Sequence, residues 1–366
     1  MSDESSAGPR AFRFTGTWQN YAPIAFTNLL LMIVTLGIYT FWARARTRRY
    51  LWSRTIFIDD RLEYTGTGFE LFIGYVVAFL AFILPFGVIN LVLQGAMMRG
   101  HPGIAALIAI PMYLALIFLV GIARFRALRY RLSRTLWHGI RGGSSQQGIA
   151  YGWSYFWKTL VATFTLYLMT PWSMARLWNE RWNAMSFGSL PFRSTARWQP
   201  VFGRFLLFYL LPVALVVALV AMAATMAGTG LFDQARGTVP SAGTILIIVA
   251  AAIGFYVFFF GVLGLIAMTY FAAFFREAIG ATSLGKLEFG FEATTKDWIL
   301  LYLGNLALVI VTFGIGSIFV PYRNWAFFIR HLAGYGEVEL DTLLQSQTRA
   351  PGQGEGMLDA FDVGAF

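Results

Sequence analysis

Ala43-Arg-Ala-Arg-Thr-Arg-Arg-Tyr-Leu-Trp-Ser-Arg-Thr55 returns eighty residues later as Ala123-Arg-Phe-Arg-Ala-Leu-Arg-Tyr-Arg-Leu-Ser-Arg-Thr135, with eight of the thirteen positions identical. Each copy follows directly on a long apolar segment. Arginines at the end of an apolar helix are retained on the cytoplasmic side of a membrane and sit among anionic headgroups. The doubled collar therefore says where the chain lies and which way round, and names no reaction.

The rest of the composition agrees. Hydrophobic residues make up 57% of the chain and charged residues 13%, about half the charged share of a soluble domain. Phe69–Gly95, Ile104–Phe125, Phe205–Gly228 and Thr244–Phe275 each exceed the roughly 18–20 apolar residues that cross a hydrocarbon core. The expected product is a polytopic membrane protein. Residues 1–21 are polar and lack the apolar core of a signal peptide. A single membrane domain follows over 22–336, and the acidic stretch 337–366 predicts a disordered tail after a last strand at Glu337–Leu340. A net charge of +10 would suggest nucleic acid in a soluble chain. Here the basic residues flank apolar segments, so membrane lipids with anionic headgroups are the expected partner and nucleic acid is not. There is no cysteine, and His101, His138 and His331 lack metal-site spacing. No metal, cofactor or catalytic constellation is expected, and hence no enzyme.

A second likeness links the ends of the chain. Asn28-Leu-Leu-Leu-Met-Ile-Val-Thr-Leu-Gly-Ile-Tyr39 reappears as Asn305-Leu-Ala-Leu-Val-Ile-Val-Thr-Phe-Gly-Ile-Gly316, and a weaker middle copy aligns Thr165, Trp172 and Arg176 with Thr35, Trp42 and Arg46. Arg323 is the matching arginine of the last copy. If every apolar segment crossed once, the basic stretch 179–204 would be exported, against the positive-inside tendency. Breaking 22–52, 154–182 and 299–329 at Thr35-Leu-Gly37, at Thr165 and at Thr312-Phe-Gly314 removes the conflict. The expectation is thus an all-α polytopic membrane protein with internal repeats. Two long transmembrane hairpins are joined by three re-entrant or broken-helix segments, and short strand-like hooks lie at the cytoplasmic side. The hooks are Phe12–Thr17, Leu62–Thr67 and Leu287–Glu292, with weaker ones at Ile140–Ser145 and Phe192–Ala196. Both termini fall in the cytoplasm.

On a helix, Arg46, Arg49, Tyr50, Ser53 and Arg54 of the first collar share one face, and their counterparts in the second do likewise. Three readings of the collars stand. Arg44, Arg46, Arg49, Tyr50, Arg54, Arg124, Arg126, Arg129, Tyr130 and Arg134 anchor lipid headgroups, or they chelate a phosphate-bearing ligand with their guanidinium forks; a protein partner is a third. Arg176 and Arg323, with Arg46, would ring a cytoplasmic mouth. Asn28 and Asn305, seven residues before their break threonines, either brace the opened helices or line a water path.

Phe12-Arg-Phe-Thr-Gly-Thr, Asn28–Tyr39 and Trp42-Ala-Arg-Ala-Arg-Thr-Arg-Arg-Tyr together resemble the YjgN-like family of bacterial inner-membrane proteins, over roughly residues 10 to 345. That family is a domain of unknown function, so the resemblance implies the inner membrane and supplies no reaction. The middle copy departs from the pattern with Tyr167 in place of Gly37 and Gly314. Two functions compete. One is a transporter or channel for an anionic or lipid-like small molecule, by analogy with repeated, broken-helix transporters. The other is a non-transporting scaffold that recruits a protein through its cytoplasmic strands. The four long spans hold no central Asp, Glu or Lys, which disfavours ion coupling.

Overall fold

A computed structural model describes residues 11–228, 242–336 and 344–348. Helices and tight hairpins alternate through it. Strand β1 (Phe12–Phe14) leads into a short helix pair, α1 (Trp18–Val34) and α2 (Thr40–Ser53), and then a hairpin, β2 (Thr55–Phe57) with β3 (Asp60–Arg61) and β4 (Glu63–Tyr64). A long pair follows: α3 (Gly68–Ala78) runs through a π-helical turn, Phe79–Ile83, into α4 (Leu84–Met98), and α5 (Pro102–Ser133) returns to β5 (Thr135–Trp137) and β6 (Ile140–Gly143). The π turn lies just before Pro85, whose missing N–H and bulky ring such a turn accommodates.

The plan then recurs. Helices α6 (Ile149–Phe164) and α7 (Thr170–Asn183) precede β7 (Ser186–Phe187) and β8 (Leu190–Ser194). Helices α8 (Gln199–Phe205), α9 (Leu207–Gly228) and α10 (Ala242–Gly280) precede β9 (Thr282–Leu284) and β10 (Leu287–Phe291). Last come α11 (Thr295–Val311), a 3-10 turn at Ile315–Phe319, α12 (Val320–His331) and β11 (Leu332–Tyr335). Among the described residues, four helical stretches are long and apolar enough to cross a membrane: Gly68–Met98, Pro102–Ser133, Gln199–Val217 and Ala252–Gly280. Their faces are apolar and exposed, as at Leu91, Leu107, Val213 and Phe260. The chain is a membrane protein.

The all-α class expected from the sequence is overturned. Strands β4 to β11 form one antiparallel sheet of eight in chain order, curved as a half-barrel, and β1, β2 and β3 form a second sheet. Strands β3 and β4 are two halves of one strand interrupted at Leu62, whose N–H still reaches the Thr55 carbonyl at 2.9 Å, so the sheets adjoin. At the far end β11 returns beside β1. A Cβ on Gly334 would sit 2.6 Å from the Cβ of Ala11, so glycine is needed for that approach. The segments read as hooks are therefore sheet strands. Each has only two to five residues, so the alternation that marked them as strand-like carried no sign of a continuous sheet. Each hairpin's outer partner also lies far off in sequence, as in the pair Tyr64 and Thr135.

The sheet encloses its own core. Phe57, Trp137, Phe187 and Leu284 hold matching positions on the first strands, and Phe12, Leu62, Phe192 and Phe289 on the second strands. Between strands the turns use left-handed residues, Ile58, His138-Gly139, Gly188 and Gly285, as two-residue hairpin loops require. The proposed last strand, Glu337–Leu340, lies outside the described residues. Of the stretch 337–366, Leu344–Thr348 is described: Leu344 exchanges hydrogen bonds with Ser189, and Arg141 donates to the Ser346 and Thr348 carbonyls.

The three short helix pairs turn in the same way. Thr35, Thr165 and Thr312 end their first helices; each hydroxyl donates to the carbonyl four residues back and accepts the N–H four residues on. Two left-handed residues follow each time: Leu36-Gly37, Leu166-Tyr167 and Phe313-Gly314. Tyr167 thus takes the conformation that glycine takes in the other two. The tips expose large apolar side chains, Leu36 at 94% and Phe313 at 97%.

Candidate functional site

The repeated face of the collar is a packing device. In α2 the Tyr50 hydroxyl donates to the Thr17 carbonyl at 2.9 Å, and Thr17 is the N-cap of α1. In α5 the Tyr130 hydroxyl donates to Glu70 at 2.8 Å, and Glu70 belongs to the capping box of α3. Ser53 and Ser133 each bond back to the tyrosine carbonyl, while Arg54 and Arg134 lie over the tyrosine rings at 5.8 and 5.6 Å. Arg134 also pairs with Glu70 at 2.7 Å. Burial is the main cause raising the Tyr50 pKa, with the Thr17 bond and Arg54 pulling the other way. Arg49 reaches the Gly66 carbonyl, Arg126 donates to that of Gln147, Arg129 is buried, and Arg124 stacks on Tyr155. The collars recur because each clamps the N-terminus of its own helix pair.

The unrepeated face lines a cavity. A space of about 550 Å³ opens between α1, α2 and α12, bounded by Asn28, Arg44, Thr47, Arg48, Arg131 and Asn324 on its polar wall and by Met32, Ile318 and Val320 toward the hairpin tips. Beyond it lies an apolar chamber of about 270 Å³, floored by Phe12, Leu62, Phe192 and Phe289 of the sheet and walled by Trp178, Trp182 and Phe328. Trp52, Trp325 and Arg131 belong to both. The two indoles stack with centroids 4.1 Å apart. Trp52 and Trp325 each donate to a buried strand threonine, Thr135 and Thr55, at 2.9 Å. A cationic vestibule and an aromatic chamber on the half-barrel thus share one wall, made by Trp52, Trp325 and Arg131.

The predicted residues divide between the two faces. Arg44 and Asn28 line the cavity, and Arg46, Arg176 and Arg323 lie outside its lining. Arg46 and Arg176 are exposed, whereas Arg323 donates to Asn305 at 2.6 Å across its helix pair. Asn305 also donates to Asn324, and Asn28 to the Ala43 carbonyl and Thr47, so both asparagines brace their pairs. The Asn28 Oδ1 is buried and has no hydrogen-bond partner among the described residues. Thr35, Gly37, Thr165, Thr312 and Gly314 form the turns. Sequence reasoning missed Arg48, Arg131, Trp52 and Trp325. Their signal was present in reverse, for Arg48, Trp52 and Arg131 are among the five collar positions that differ between the copies.

A family model described as "Bacterial protein of unknown function (DUF898)" matches residues 9–360. Among curated proteins, "Inner membrane protein YjgN" of Salmonella typhimurium (strain LT2) is 27% identical over 156 residues, covering 43% of this chain and 36% of that protein. The protein of the same name from Escherichia coli O157:H7 is 30% identical over 139 residues, 38% of this chain and 32% of its own length. The match spans about a third of these relatives. No solved structure matches the chain.

Proposed function

The chain belongs to the bacterial DUF898 family, and from that premise we propose that it is an inner-membrane transporter or channel for an amphipathic anion, an apolar tail bearing a phosphate or carboxylate. The single observation that carries this reading is the shared wall of the two cavities. Arg44, Arg48 and Arg131 converge on one compartment while aromatic side chains fill the walls of the next. Guanidinium forks suit an anionic head, and burial of a tail contributes about 25 cal/mol per Å² of apolar surface removed from water. The inner-membrane location is supported by the four apolar stretches and the relatives' names.

In this reading the chain is an array of five like units, each a helix pair plus a hairpin, with β11 and β1 making the fifth hairpin. The sheet lies in the cytoplasm because the collars do, and the apolar tips of the short pairs lie in the adjoining leaflet, giving the vestibule access to lipid. The test is a proteoliposome flux assay with fluorescent phosphatidic acid, lysophosphatidic acid and a neutral diacylglycerol analogue. Transfer of the anionic probes above the lipid-only rate, reduced at least tenfold by Arg44→Gln combined with Arg131→Gln, is expected. No transfer of any probe by folded protein refutes transport. The scaffold reading has one observation of its own, the seat of Leu344–Thr348 against Ser189, Gly139 and Arg141.

A further inference from the structure

Behind the cavity wall, α5, α6 and α7 bury a cluster of positive charge. Arg181 of α7 is 4% exposed, and among the described residues its Nε and Nη1 have no hydrogen-bond partner. Its guanidinium lies over the Trp178 ring at 5.8 Å. Arg124 of α5 lies over Tyr155 at 5.6 Å, and its Nε is likewise buried without a partner. Both act electrostatically on Tyr151, a buried tyrosine of α6. Burial lowers the Arg181 pKa, Tyr151 pulls it back up, and the like charges of Arg124 and Arg131 lower it again. The nearby carboxylate, Glu180, is engaged elsewhere: it pairs with Lys158 at 2.7 Å and accepts from Ser154.

Such an arrangement is costly as it stands. A buried guanidinium with unfilled donors loses hydration that a ring contact offsets only in part, and a second one beside it adds repulsion. Side chains with this cost persist where a counter-charge completes them. Their unfilled donors are separate guanidinium N–H groups, whose directed hydrogen bonds suit the several oxygens of a tetrahedral oxyanion better than a spherical halide.

We infer that Arg124 and Arg181, with Tyr151 beside them, form an anion site that holds one phosphate group between α5, α6 and α7. Lipid headgroups and inorganic phosphate share this chemistry. Arg181 and Arg124 line neither the vestibule nor the chamber, although Arg131 borders both compartments and Trp178, under Arg181, walls the chamber. A phosphate here ties the second transmembrane hairpin to the middle short pair.

The test uses full-length protein purified in a neutral detergent with chloride as the only added anion. Unfolding temperature is followed against inorganic phosphate at constant ionic strength, and native mass spectrometry records retained lipid. An open site predicts a phosphate-dependent rise of roughly 2–4 °C in the wild type, cut to less than a third in Arg181→Met and in Arg124→Gln. A lipid-filled site predicts instead one phospholipid adduct that survives delipidation in the wild type and is lost from both variants. Arg44→Gln keeps either signal, which separates this site from the cavity. Arg124 is the more exposed of the two, so its variant remains informative should Arg181→Met fold poorly. Equal phosphate shifts in wild type and variants, or no shift together with no retained phospholipid, overturn the inference.

Discussion

Thr35, Thr165 and Thr312 each use one hydroxyl twice, as donor to the helix they end and as acceptor from the segment they begin. That pairing lets the backbone reverse without orphaned groups, which an apolar surrounding would punish. The residue two places on must then be left-handed. Gly37 and Gly314 take this at no steric cost, with φ near +91° and +92°, whereas Tyr167 takes it at +65° with a side chain. A left-handed non-glycine residue costs about 1–2 kcal/mol. Tyr167→Gly should therefore raise stability by roughly 1 kcal/mol, and Gly37→Ala should lower it by a similar amount, since nothing but the backbone opposes a Cβ there. Thermal unfolding in detergent measures both. A Tyr167→Gly variant less stable than the wild type would mean that the exposed ring contributes more than the strain removes.

At the scale of elements, helix starts are where the sheet and the helices are stitched together. Helix α11 begins with a capping box in which Thr294 and Asp297 satisfy each other's backbone. The Thr294 hydroxyl, and after it the Thr294 N–H, hold the Asp297 carboxyl below its ordinary value of 3.8. A carboxyl depressed on folding stabilises the fold above its unfolded pKa, and that contribution is lost as pH falls through the folded value. The stability gap between wild type and Asp297→Asn should be constant near neutrality and close as pH drops below about 3.8. Unfolding curves over that range check it, and a gap that persists in acid would assign the effect to shape alone. Thr294→Ala, which removes the cap at any pH, should cost about 1 kcal/mol.

For the whole molecule, the hairpins gather every collar on one side. Trp325 near the C-terminal end donates to Thr55 near the N-terminal end, as Trp178 donates to Thr282, so the distant ends of the chain are joined by the same contact used within it. Arg193 and Lys286, both exposed on the sheet side, sit with the collars. Because the chain has no cysteine, a single cysteine at either position reports its compartment unambiguously. Neither should react with a membrane-impermeant maleimide applied to intact cells, and both should react after permeabilisation. Labelling from outside would reverse the proposed orientation of the sheet and its vestibule.

The membrane character, the four long apolar helices and the three threonine turns were legible in the residues, because hydrophobic length and a glycine or threonine at a helix end are local signals. The doubled arginine collar was equally legible, but its meaning was not. Repetition marked Tyr50, Arg54, Tyr130 and Arg134 as a set, and only the folded chain shows that the set grips helix N-termini. The differing positions, Arg48 and Trp52, face the cavity. Tertiary structure alone decided the sheet, since strands of two to five residues carry too little pattern and find their partners across long stretches of chain. It alone decided that Arg44, Arg48 and Arg131 meet above an aromatic chamber, because a cavity is made by what several distant helices leave unfilled.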